Sequence, residues 1–106
     1  MNLANAVELR PMPLFEAGRI LALPGVLALF GLKQPTLGVF IARHITGDWG
    51  DEDEDMTVHN DAALREGRRL ISVYAFKGTK FWVVTEADRS RTVALLPEEY
   101  NNGGSA

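Results

Sequence analysis

The chain has 106 residues, 46% of them hydrophobic and 24% charged, with a net charge of -3 and no cysteine. That is one ordinary domain with one modest core, and it excludes disulfides, thiolate zinc sites and a cysteine nucleophile. Net charge is distributed unevenly: residues 1–47 carry +2, residues 48–55 carry -6 and residues 56–106 carry +1. The excess acidity therefore sits in one eight-residue segment, the opposite of the clustered Lys and Arg that a nucleic-acid surface needs, so no direct nucleic-acid partner is expected.

In chain order, residues 1–13 lack periodicity and end in Pro11-Met12-Pro13, which reads as an extended arm. Nothing there has the pattern of a secretory signal, and the longest apolar run, Ile20 to Leu32, is interrupted by Pro24 and two glycines. A bilayer span needs about twenty apolar residues, so no membrane partner is expected and the reading is cytoplasmic. A first strand is placed near Gly18 to Leu23. Pro24 then opens a short helix through Phe30, stopped by Gly31.

Thr36 is placed as the cap of a helix from Leu37 to His44, with Leu37, Phe40, Ile41 and His44 at helical spacing. A buried strand over Val39 to Ile41 is the alternative. Gly47 to Asp55 reads as a loop, because two glycines, a Trp and a block of like charges do not pack as a regular element. A helix from Asp55 to Glu66 follows, stopped at Gly67.

Leu70 to Phe76, Lys80 to Thr85 and Arg91 to Leu96 are rich in β-branched and aromatic residues. Lys77-Gly78 marks a tight hairpin between the first two, and Pro97 ends the third. This is an antiparallel meander. The fold class is α+β: one domain over residues 14–100, with an N-terminal strand, two to three short helices over one sheet face, and a three-stranded C-terminal meander. Residues 101–106 read as a flexible tail.

The segment His44-Ile-Thr-Gly-Asp-Trp-Gly50, followed by Asp51-Glu-Asp-Glu-Asp55, carries the chemistry worth weighing. His44, Asp48 and Asp51 have spacings that suit a divalent ion held by imidazole and carboxylate. The bland reading is a helix-end histidine, an aspartate bonding the loop's own amides, and a solvated acid. Trp49 either folds back onto the core, the commoner fate, or anchors a partner, since an indole is a frequent interface hot spot. The expectation is a partner-binding surface made of Trp49, Asp48, Asp51, Glu52 and Asp53. Asp88, Arg89 and Ser90 form a structural turn, with Arg89 free to reach carboxylates such as those of the Asp48 loop. No nucleophile has an activating neighbour, no phosphate loop is present, and no cofactor is expected.

Arg43-His44, Gly47-Asp48-Trp49-Gly50, Asn60, Ala63, Gly67, Arg69, Ser72, Tyr74, Trp82, Thr85-Glu86, Asp88-Arg89-Ser90, Thr92 and Leu95 to Tyr100 together resemble a family of small bacterial proteins from plasmids, integrative elements and phages. The family is called "plasmid related protein", and some members carry the label of a type I restriction modification subunit. The resemblance runs from about Pro13 to Tyr100. It implies no settled activity or cofactor. A methyltransferase needs a larger cofactor-binding domain and an Asn/Asp-Pro-Pro-aromatic motif, which Leu96-Pro97-Glu98 does not supply. What the resemblance implies is an accessory role in mobile-element biology, where small inhibitors of restriction or CRISPR complexes are found. The expectation is a non-catalytic protein that binds a protein partner; the alternative is a small metal-dependent hydrolase using His44, Asp48 and Asp88.

Overall fold

The protein is described from a computed structural model, which covers residues 1–6, 13–50 and 54–100. Residues 7–12 of the N-terminal arm, residues 51–53 and the tail, 101–106, lie outside the described residues. In order, the elements are β1 (Arg19–Ala22), α1 (Pro24–Phe30), a 3-10 turn (Gly31–Lys33), α2 (Gln34–Ile45), α3 (Glu54–Glu66), β2 (Leu70–Phe76), β3 (Thr79–Thr85), β4 (Arg91–Leu95) and a single turn α4 (Pro97–Glu99). The α+β class and the antiparallel β2-β3-β4 meander are as the sequence predicts. Lys77 and Gly78 both take positive φ, 52° and 77°, the turn that matches the twist of a two-residue hairpin.

Two local expectations change. Helix α2 begins at Gln34, so Thr36 lies inside its first turn and is not its cap; Pro35 fits there because first-turn amides have no helical partner. The strand alternative for Val39 to Ile41 is overturned by the same helix. The first strand finds its partner at the far end of the chain: the sheet order is β1-β4-β3-β2, with β1 parallel to β4.

Strand alternation splits the sheet into two faces. On one, Tyr74, Phe81, Val83 and Ala94 pack against Val26 and Phe30 of α1 and Ile41 of α2. Phe30 stacks on Phe76 at 4.3 Å and meets Phe81 edge-on at 5.3 Å, the offset and T-shaped geometries aromatic rings favour. On the other face Val84, Val93 and Leu95 are covered in part by Trp82 and Tyr100. Glu99 ties α4 to α1: its carboxylate accepts from Gly25 N at 2.9 Å and from Leu96 N at 2.9 Å.

A second small core lies beside β2, where Trp49, Ala63 and Leu70 pack with Phe15 and Leu64. Helix α3 ends in a Schellman turn, with Gly67 at φ 69° and Arg68 N donating to Ala63 O at 2.9 Å. Among the described residues no single helix is long and apolar enough to cross a membrane.

Candidate functional site

The Gly47-Asp48-Trp49-Gly50 segment is built into the fold. Helix α2 ends in the same Schellman geometry as α3: Gly47 has φ 89°, its N–H donates to His44 O, and Asp48 N donates to Arg43 O at 2.9 Å. Asp48 then takes a forked pair from Arg43, Nε to Oδ2 at 2.6 Å and Nη2 to Oδ1 at 3.2 Å, and a further bond from Gly50 N. Its carboxyl is held below the usual range, chiefly by the Arg43 hydrogen bond. The Arg43 guanidinium lies 4.7 Å above the Tyr74 ring, and the Tyr74 hydroxyl donates to Asp48 O. Burial pushes that phenol up to about 12.

These bonds lay residues 49–50 along the outer edge of β2, where Gly50 bridges Val73 and Trp49 O accepts from Val73 N at 3.1 Å. A Cβ at Gly50 would stand 1.8 Å from Val73 O, so only glycine permits the approach. Two residues along, Asn60 of α3 closes the same edge: its amide donates to Ile71 O at 2.6 Å and accepts from Ile71 N at 3.0 Å. The β2 edge is thus sealed by two separate devices, as exposed strand edges generally must be.

Trp49 is 5% exposed, stacked on Phe15 at 6.2 Å and edge-on to His44 at 5.7 Å, with its Nε1 aimed at Asp61 Oδ1. The expectation of an outward anchor is corrected: an indole on a segment pinned to β2 fills the second core. Asp48 stays at the surface, but its oxygens are committed to Arg43 and Gly50. Asp51, Glu52 and Asp53 lie outside the described residues.

His44 is fully buried, between sheet and helix. Its Nδ1 lies 2.5 Å from Ser72 Oγ and its Nε2 2.8 Å from Thr85 Oγ1. Thr85 Oγ1 in turn lies 2.7 Å from Thr92 Oγ1, which donates to Ala17 O at 2.7 Å. The direction of the chain follows from its end, because a carbonyl only accepts. Thr92 spends its proton on Ala17, so Thr85 donates to Thr92, Nε2–H donates to Thr85, and Ser72 donates to Nδ1. The imidazole is neutral, and burial, helped by the Arg89 charge, lowers its pKa to about 3.

The metal reading of His44 with Asp48 and Asp51 is therefore corrected. Both ring nitrogens are engaged in the interior, and no lone pair faces a cavity. Among the described residues no three His, Asp or Glu side chains are grouped to hold an ion. The Ser72–His44 contact has the look of a nucleophile and base, but both are 0% exposed and no substrate reaches them.

In the second meander turn Asp88 Oδ1 accepts from Ser90 N at 2.9 Å, while Arg89 has φ 61°. The expectation that Arg89 reaches the Asp48 carboxylate is also corrected. Its guanidinium donates to Arg68 O, Glu86 O and Ala63 O and lies 5.6 Å from the Phe15 ring, so it closes the carbonyl end of α3. Asp88, in the same turn, is exposed and has no tie to His44 beyond it.

The other sheet edge, β1, is open among the described residues. Arg19 N donates to Ser90 O and Leu23 N to Ala94 O, which turns the N–H and C=O of Ile20 and Ala22 away from β4, where no described residue bonds them. Ile20 is 56% exposed. Between this edge and α2 runs an apolar groove of about 570 Å³, lined by Ile20, Leu27, Leu37, Gly38, Ile41 and Ile45 among others. Neither a family model, a curated protein nor a solved structure matches the chain.

Proposed function

We propose that the chain is a non-catalytic accessory protein of a bacterial plasmid, phage or integrative element, working in the cytoplasm by binding a protein partner. Host restriction or CRISPR complexes are the class of target that the resemblance to the plasmid-related family suggests. The observation that carries the reading is the asymmetry of the sheet: β2 is sealed by Asn60 and the Trp49 segment, whereas the outward backbone groups of Ile20 and Ala22 in β1 have no partner among the described residues and lie beside an apolar groove. An extended segment of another protein, laid along β1, satisfies those backbone groups and buries the groove. The hydrolase alternative loses its support with the His44 geometry, since that imidazole has neither a free lone pair nor access to solvent.

The test is affinity capture in a host carrying the parent element, comparing wild type with Gly38→Trp. Gly38 lines the groove and a Cβ there meets nothing within 4 Å, so the helix accepts a side chain at this position and an indole on it is expected to occupy the groove. The expected result is a partner retained by wild type and lost by the variant. A partner held equally by both places the contact elsewhere and removes the reading.

A further inference from the structure

Resting on that reading, we infer that the β1 edge takes an antiparallel strand with the pattern apolar–any–apolar–acidic, the two apolar residues entering the groove and the acid meeting Arg19. The register follows from the edge. Residues opposite Ala22 and Ile20 form the hydrogen-bonded pairs, and their side chains point with those of Ile20 and Ala22 toward α2. All six groove residues named above are uncharged, so these two positions are apolar. The residue opposite Arg19 falls on the other face.

That face holds a charge, Arg19, with no counterpart among the described residues. Arg19 is the register partner of Arg91, which sets two guanidinium-bearing residues side by side on adjacent strands. Glu86 is already shared by Arg69 at 3.5 Å and Arg91 at 3.9 Å, and Asp88 is turned to Ser90 N. Arg19 lines the same hollow of about 590 Å³ and makes no ion pair with any described residue. A carboxylate on the incoming strand relieves that arrangement, and complementary charge of this kind sets register and rejects wrong partners.

A second copy of the chain fits less well. Two-fold antiparallel pairing centred on Leu21 sets Arg19 opposite Leu23 of the other copy, leaving both arginines unmatched.

The experiment is selection of phage-displayed random eight-residue peptides on the purified chain, with Arg19→Glu, Ala22→Pro and Ile20→Lys as comparison targets. Ala22→Pro removes an N–H that points away from β4, so the sheet's own ladder is kept; Ile20→Lys changes an exposed side chain and serves if the proline variant fails to fold. The expected result is enrichment of the stated pattern on wild type, replacement of the acid by Lys or Arg on Arg19→Glu, and at least tenfold weaker binding to Ala22→Pro and Ile20→Lys. Enrichment lost on those two variants but indifferent to Arg19→Glu overturns the inference and leaves the binding reading standing. Three outcomes overturn both: no enrichment on wild type, enrichment unchanged on Ile20→Lys, or a wild-type dimer that Ile20→Lys dissociates. Binding that emerges only after residues 1–12 are removed overturns the inference, because the chain's own segment then holds the edge.

Discussion

Gly50→Ala isolates what the Gly-Asp-Trp-Gly segment does. The added methyl would lie 1.8 Å from Val73 O, against about 3.4 Å for ordinary contact, so the segment must retreat by about 1.6 Å from β2. Retreat breaks the 3.1 Å bond from Val73 N to Trp49 O, worth about 1 kcal/mol. It leaves a backbone at φ 99° holding a side chain, at a cost of about 1–2 kcal/mol. It also draws Trp49 out of contact with Phe15, Ala63 and Leu70, forfeiting part of the ~3–5 kcal/mol that a buried Trp contributes. The expected loss is about 4 kcal/mol, a large share of the ~5–15 kcal/mol that holds a domain together. Gly67→Ala is the control: its φ is 69° but nothing lies within 4 Å of the new Cβ, so only the backbone cost of about 1 kcal/mol applies. Urea unfolding at pH 7, followed by tryptophan fluorescence and circular dichroism, reads both. A Gly50→Ala loss within about 1 kcal/mol of the Gly67→Ala loss would refute the edge-sealing argument.

Trp49→Ala should destabilise the fold by about 3–5 kcal/mol in the same assay, whereas loss of partner capture with unchanged stability would return the indole to the surface. His44 supplies a pH dependence: its folded pKa is about 3 against an unfolded 6.5, so the unfolded chain binds the extra proton between those values and stability falls as pH falls. Between pH 7 and pH 5 the loss from this group is about 2 kcal/mol, and the check is the difference in urea midpoint between the two pH values. A flat profile over that range would show that the imidazole is not buried neutral. Asn60→Asp removes the donor to Ile71 O and places a carboxylate at a 0% exposed position, with a loss of about 3 kcal/mol or more expected at pH 7. Lys77→Asn, at φ 52° in the hairpin, should stabilise by about 0.5 kcal/mol, seen as a small rise in the thermal midpoint.

The meander was legible because its signals are local: alternating β-branched and aromatic residues, Lys77-Gly78 at the hairpin, Pro97 at the stop. The ends of α1 and α3 were legible for the same reason, through Gly31 and Gly67. The pairing of β1 was not, because a parallel partner some seventy residues away leaves no mark on the strand itself. The burial of Trp49 is not legible locally, because its neighbours in sequence are glycines and acids, while its neighbours in space, Phe15 and Leu70, come from separate segments before and after it in the chain. His44 was placed correctly at the end of α2, yet its chemistry is decided by Ser72, Thr85 and Thr92 on three separate strands. The open β1 edge carried one faint signal: beyond Arg19 the strand Ile20-Leu21-Ala22 has no Lys, Pro or acid of the kind that guards an exposed edge.

The difference between the two sheet edges is most directly measured by amide hydrogen exchange on the isolated chain. The N–H groups of Ile71 and Val73, held by Asn60 Oδ1 and Trp49 O, should be protected to near the level of the central strands. Those of Ile20 and Ala22 should exchange orders of magnitude faster. Equal protection of all four would contradict the account, since β1 would then already be covered and its groove would not be a place for a partner.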